Sequence, residues 1–367
     1  MNKLIIYLKN FDWILFFSVI LLICFGLVEI YSIALGRGNA DLLNLKKQLL
    51  FAVIGIVCLF IFAFLDFNYW KNFSKYLYIL AIVFLGAVLV IGRTINGTKG
   101  WFAVFGFSLQ PVEFVKIILL IALAYFFSSR ALKIRSVRQL IYSALMVVPL
   151  FILIFIQPDF GSAVILLLIW LVMLAVAGFS KKFFIILFLI IAITGTSLWF
   201  FNFQDYQKKR IINLFNPSSD SLKSGYNEEQ AIIAVGSGGL IGRGVGFGSQ
   251  SQLKFLPEAQ TDFIFAVICE EFGFLGVGLV FLFFGIAFYR CLAVIPRINN
   301  DFGIFLIMGA VGLIFLEMFI NISMNIGILP IVGIALPFIS YGGSSIISNM
   351  IIIGIIENII IKSKINY

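Results

Sequence analysis

Phe255-Leu256-Pro257-Glu258-Ala259-Gln260-Thr261-Asp262-Phe263-Ile264-Phe265 marks the point where a long, polar, glycine-rich loop runs straight into a strongly apolar helix. That apolar run continues to about residue 289, long enough to cross a bilayer. A carboxylate such as Asp262 at the lip of a membrane is costly to keep there unless something uses it. The chain has no histidine, so the usual proton shuttle near neutral pH is missing. Proton transfer outside the membrane would fall to an aspartate or a glutamate.

The rest of the chain is built like that helix. Of its 367 residues, 62% are hydrophobic and 12% charged, against roughly 25% charged in soluble domains; mean hydropathy is +1.12. A soluble globular fold is excluded. The apolar residues come in blocks of about 17–25, and few blocks show a polar face, so lipid or neighbouring helices must surround them. The pattern predicts an all-α, polytopic integral membrane protein with about ten transmembrane helices, over 12–34, 47–66, 75–92, 112–128, 139–157, 160–178, 183–201, 263–289, 303–325 and 340–361. We expect a single membrane domain, 1–367, containing one large loop, 202–262. Loops that long are usually functional or form a small structured unit. The first block is too long for a signal-peptide core and no small-residue cleavage pattern follows it, so it reads as a retained helix. Cys24, Cys58, Cys269 and Cys291 form no CxxC pair, which suggests neither a zinc site nor a disulfide framework. The two halves share no motif, so a transporter built from inverted repeats gains no support.

Sidedness follows from the basic residues. With the N-terminus in the cytoplasm, fourteen Lys and Arg fall on the inner side, against five (Arg37, Lys46, Lys47, Arg93, Lys99) in the short outer loops. Six more lie in the long loop, but long loops weigh little in this rule. Both termini are expected in the cytoplasm and the long loop outside it. The net charge of +9 then reflects topology, not nucleic-acid binding.

Against this background four polar segments stand out, all near the outer face. In Ser108-Leu109-Gln110-Pro111-Val112-Glu113-Phe114-Val115-Lys116, Pro111 suits the first turn of a helix, and Glu113 and Lys116 share a face. They either lock two helices together or point into an outward cavity. In Gln157-Pro158-Asp159-Phe160-Gly161, Asp159 can cap the next helix. Lys208-Lys209-Arg210 opens the long loop; it is either a solvated or lipid-touching face or a cradle for pyrophosphate, which arginine binds through its planar fork. Gly236 to Gly248 holds seven glycines, yet GxGxxG fails at every start and no P-loop lysine follows. Glycine there allows sharp turns or close backbone approach. Asp262 sits where a helix cap belongs, and capping and catalysis are both open for it. Glu270 and Glu271, deeper in, are candidates for pairing inside the bundle.

In order and in a ten-span frame, these segments resemble the SEDS family of cell-wall proteins, which includes RodA and FtsW. The resemblance rests on Asn96-Gly97 with Trp101, Ser108 to Pro111 with Glu113 and Lys116, Gln157-Pro158-Asp159 with Gly161, and Gly225-Tyr226-Asn227. It continues through Gly236 to Gly239, Phe255 to Glu258, Thr261 to Phe265 with Glu270-Glu271, Leu329-Pro330 with Gly333, and Leu336 to Ser345. Three places depart from the family pattern. Gln260 stands where the family often has histidine, Lys99-Gly100-Trp101 lacks the usual residue before the tryptophan, and Ser219 to Lys223 replaces a commoner Asp-Pro turn.

The resemblance implies a peptidoglycan glycosyltransferase of the bacterial cytoplasmic membrane. Such an enzyme polymerises lipid II at the outer face and works with a class B penicillin-binding protein. It implies Asp262 as the catalytic residue. Val332-Gly333-Ile334 is similar to the elongation branch, the RodA type, which serves rod shape; division members of the FtsW type usually carry lysine where this chain has Val332. In the implied reaction a sugar 4-hydroxyl attacks the anomeric carbon of a second lipid-linked chain and undecaprenyl pyrophosphate leaves. A base must take the hydroxyl proton and cations must meet the charge growing on the pyrophosphate. Asp262 suits the first role, as one carboxylate does in inverting glycosidases. Arg210, with Lys116 or a divalent cation, suits the second. Glu113, Asp159 and Glu258 complete the expected substrate-binding set. A lipid II flippase and a membrane scaffold for the penicillin-binding protein are the readings from other classes.

Overall fold

The structure is a computed structural model that describes residues 3–36, 42–95, 97–104, 107–130, 136–201 and 224–365. Ten helices occupy the ten apolar blocks, preceded by a short α1 at Lys3–Asn10. They are α2 Trp13–Leu35, α3 Leu43–Phe64, α4 Phe67–Ile91, α5 Pro111–Ser128, α6 Val137–Ile156, α7 Phe160–Val176 and α8 Lys181–Phe201. Two loop helices follow, α9 Ser224–Ser237 and α10 Ser249–Gln252. The last three are α11 Ile264–Ala293, α12 Asp301–Asn325 and α13 Gly343–Ile365. Polar residues at the block edges start these helices by taking up orphan N–H groups. Asp12 accepts from Leu15, Asp66 from Asn68 and Asn300 from Phe302. Eight of the helices are long and apolar enough to cross a membrane, and α7 adds a shorter apolar helix.

The helices divide by burial. The best-buried windows belong to α13, at 83%, and α5, at 78%, while those of α3, α4 and α6 stay between 22% and 28%. The first two therefore form the middle of the bundle and the others face lipid. That placement is what lets α5 carry a lysine inside a span, since a charge in hydrocarbon must face protein or water.

The helical fold carries one small sheet that the sequence reading did not include. Three antiparallel strands form a sheet, Arg93–Ile95, Thr98–Val104 and Phe107–Leu109. Ile95 pairs with Thr98, and Gly97 just before Thr98 takes φ +84°, a conformation glycine adopts without penalty.

The eighth span is also not one continuous helix. α11 breaks at Gly273 (φ 62°, ψ −157°), and the glycine-rich loop inserts there. The carbonyls of Glu270 and Glu271 accept from Arg243 and Gly244 at 3.0 and 2.9 Å, while Phe274 and Leu275 donate to Gly239 and Leu240 at 3.0 and 3.1 Å. Backbone groups freed by the break are thus satisfied within the protein, as a membrane setting demands. A Cβ at Gly238 would lie 1.7 Å from the Cys269 carbonyl oxygen. The close approach anticipated for these glycines is to the chain's own helix. Glu270 and Glu271 pair inside the bundle, among the described residues with hydroxyl, amide and N–H groups: Glu270 accepts from Ser249, Gln250 and Ser251, and Glu271 from Ser32, Gly246, Ser251 and Gln252. Together they moor the loop to α2 and α11.

Candidate functional site

A cavity of about 660 Å³ opens at one end of the bundle. Its walls come from the sheet, the start of α5, the α6–α7 hairpin, the segment 258–262 and the turn 331–345. Five of the six residues singled out from the sequence, Glu113, Lys116, Asp159, Glu258 and Asp262, line it. The sixth, Arg210, lies outside the described residues, as do Lys208 and Lys209.

Pro111 opens α5 with Gln110 at the cap position. The Gln110 N–H donates to Ser344 Oγ at 2.9 Å, fixing this entry against α13. One turn in, Lys116 Nζ lies 2.9 Å from Glu113 and also pairs with Glu317 on α12. A carboxyl group on each side closes the ammonium between two helices. Glu317 was missed in the sequence, although a lone acid inside an apolar span is itself a signal.

Asp159 caps α7: its Oδ1 accepts from the Ser162 N–H at 3.0 Å and its Oδ2 from the Ser162 hydroxyl at 2.8 Å. Gln110 Nε2 adds a donor at 3.3 Å. Burial raises this carboxyl above the usual range, against the pull of the Ser162 bonds. Capping and cavity lining thus coexist in one side chain.

Asp262 is half-buried and lies one residue outside the cap of α11, a position held by Phe263. The segment before it is clasped by the Leu336 to Ser345 turn. Ser340 Oγ donates to the Thr261 carbonyl at 2.7 Å and the Tyr341 N–H to the Gln260 carbonyl at 2.8 Å. Gln260 Oε1 accepts from Asn44 at 2.7 Å, so the residue standing where the family often has histidine is a structural tie. Thr261 Oγ1 donates to Glu258 Oε2 at 3.1 Å. Gly333 (φ +72°) faces the Asp262 carboxyl; a Cβ there would sit 3.6 Å from Oδ2. Among the described residues, no three of Asp, Glu and Cys are placed to hold a metal ion.

The cavity therefore collects the carboxylates of Glu113, Asp159, Glu258, Asp262 and Glu317 with two ammonium groups, Lys47 and Lys116. Such a lining can hold a polyol through its hydroxyls and can accept a proton from one of them.

The chain as a whole is similar to known proteins. The family model described as cell cycle protein, FtsW/RodA/SpoVE, matches residues 12–365. Stage V sporulation protein E of Bacillus subtilis is 36% identical over 95% of this chain and 96% of its own length. Peptidoglycan glycosyltransferase MrdB of Escherichia coli is 34% identical over 87% of this chain and 86% of its own. A chain from a solved peptidoglycan synthase complex superposes with a TM-score of 0.81 at 28% identity, covering 96% of this chain and 98% of that one. A membrane bundle of about ten helices, a cavity built at the family's motifs and a match along nearly the whole length lead to one conclusion: the chain belongs to the FtsW/RodA/SpoVE family.

Proposed function

We propose that this protein is a peptidoglycan glycosyltransferase of the bacterial cytoplasmic membrane that polymerises lipid II, with a class B penicillin-binding protein as its transpeptidase partner. One observation carries the reading. Asp262, Glu113, Lys116, Asp159 and Glu258 come from three separate parts of the chain and converge on one cavity. The relatives named above, a peptidoglycan glycosyltransferase and a chain of a synthase complex that coordinates polymerization and crosslinking, support it.

In this reading Asp262 is the base. Its carboxylate takes the proton of the attacking 4-hydroxyl as the new glycosidic bond forms and the bond to pyrophosphate breaks with inversion. The charge that builds on the leaving group needs cations. Lys116 is held between two carboxylates, so its charge is largely spoken for; its part is to keep the acids of the inner wall in place. Lys47, Arg210 with its two lysine neighbours, or a divalent cation carried by the pyrophosphate itself remain for that task. The excess of inner over outer basic residues supports an outward-facing cavity. Val332-Gly333-Ile334 supports the elongation branch over the division branch.

The test is polymerisation by the purified chain in liposomes with labelled lipid II, with and without its partner. Glycan from the parent and none from Asp262→Ala, a loss of about 10²–10⁴-fold at unchanged folding, is the expected result. Normal polymer from Asp262→Ala removes that residue from its role. Label crossing the bilayer without polymer would mean a flippase instead.

A further inference from the structure

One edge of α12 carries three buried polar side chains, Glu317, Asn321 and Asn325. Four-residue spacing keeps them on one face, about 6 Å apart along the helix. In a membrane helix each needs a partner; Asn325 Nδ2 donates to Asn321 on the same helix, to its carbonyl at 2.8 Å and its Oδ1 at 3.4 Å, and the remaining partners belong to the cavity wall or the helix beside it. Glu317 holds the Lys116 ammonium. Asn321 Nδ2 donates to the carbonyls of Asp262 at 3.1 Å and of Ile334 at 2.7 Å. Asn325 Nδ2 donates to the same Asp262 carbonyl at 2.9 Å, and its Oδ1 accepts from the Ala266 N–H at 3.2 Å.

That last bond has a particular meaning. The cap position of α11 is Phe263, whose side chain makes no capping hydrogen bond. The Ala266 N–H is one of the first-turn donors that a cap would satisfy. Asn325 supplies that acceptor from a different helix. Both asparagines are fully buried and neither is among the residues lining the cavity, so their effect on the reaction passes through the backbone they hold, at Asp262, Ile334 and Ala266.

We propose that Asn321 and Asn325 are positioning residues. With Glu317 they make α12 a spacer that sets where Asp262 stands relative to Lys116 and to the wall at Gly333. The inference rests on the glycosyltransferase reading above. Displacing a reacting group by about 1 Å costs on the order of 10²-fold in rate, and a residue that acts only through the base should lower kcat without changing substrate affinity.

The experiment uses the full chain with its transpeptidase partner and labelled lipid II under steady-state conditions. Asn321→Leu and Asn325→Leu should each lower kcat by about 10²-fold with KM within about threefold. Amides 264–268 should exchange faster with deuterium in both. Asn325→Ser, whose hydroxyl can donate and accept, should recover turnover to within about tenfold of the parent. Asn325→Asp, which when ionised accepts but cannot donate to the Asp262 carbonyl, should not. Parental kcat in folded leucine variants, or a loss confined to KM, overturns the inference. Should the leucine variants fail to fold, equal turnover in Asn325→Ser and Asn325→Asp overturns it. A parent that makes no glycan sinks the glycosyltransferase reading itself, whereas an active parent with equally active asparagine variants sinks only this step.

Discussion

The two ends of the bundle both hold charges, and they treat them differently. At the end away from the cavity the charges are tied to one another or to backbone groups. Arg290 binds both oxygens of Asp12, the Asp12 N–H donates to Glu357 at 3.0 Å, and Lys364 donates to the Asn10 carbonyl at 2.9 Å. Nearby, Asn358 takes the Phe67 N–H and donates to the Ala63 carbonyl. These bonds tie the starts of α2 and α4 to the ends of α3, α11 and α13. At the cavity end the acids outnumber the ammonium groups and surround open volume. The first arrangement holds helices together. The second keeps polar groups available, which costs stability unless a substrate uses them.

Substitutions can break this contrast. The largest effect is expected at Lys116. Lys116→Met leaves Glu113 and Glu317 without a cation in a buried site and should cost about 3–5 kcal/mol, read as thermal unfolding in detergent, with no polymer formed. Adding Glu317→Gln should restore much of the stability but not the activity; restored activity would mean the trio is only a lock. Arg290→Met removes the partner of buried Asp12, but the Arg290 side chain is itself 31% exposed, so about 2 kcal/mol is expected. Protein that stays folded should polymerise at the parental rate per molecule, and a lower rate would show that the closed end also serves the reaction.

Gly333→Ala sharpens the contrast from the other side. Its φ of +72° makes any side chain cost roughly 1–2 kcal/mol, and the backbone that must adjust faces Asp262. Turnover should fall by about tenfold while the melting temperature falls by about 2–4 °C at most. The smallest effect belongs to Lys362, paired with Asp66. Burial would raise the Asp66 carboxyl, but the Lys362 and Asn68 contacts outweigh it and hold it below its ordinary value. A lowered carboxyl contributes stability above its unfolded value and loses it as pH falls through the folded one. Asp66 is 38% exposed, so solvent screening keeps Lys362→Met to under about 1 kcal/mol at neutral pH. That difference should vanish in unfolding curves below the ordinary carboxylate range.

The spans were legible because bilayer thickness dictates their length, and each predicted block holds a helix. The break at Gly273 was not. Its surroundings, from Phe263 to Phe284, read as continuous apolar helix, and the break depends on a loop about thirty residues earlier supplying backbone partners. The sheet at 93–109 left a signal that went unread: Asn96-Gly97 between Ile95 and Thr98 is hairpin chemistry. Glu113 and Lys116 were legible because charge is rare in these spans, and Asp159, Glu258 and Asp262 because they stand in polar segments at span edges. Glu317 escaped because its partner lies 201 residues away. Asn321 and Asn325 escaped because an amide in a membrane helix announces neither charge nor chemistry.

The insertion at Gly273 has a mechanical consequence. Four backbone hydrogen bonds weld residues 239–244 to the two sides of the helix break, and only the short helical stretch from Ile264 separates that weld from Asp262. A displacement of the glycine-rich loop is therefore delivered to the lip of the cavity as through a short stiff lever.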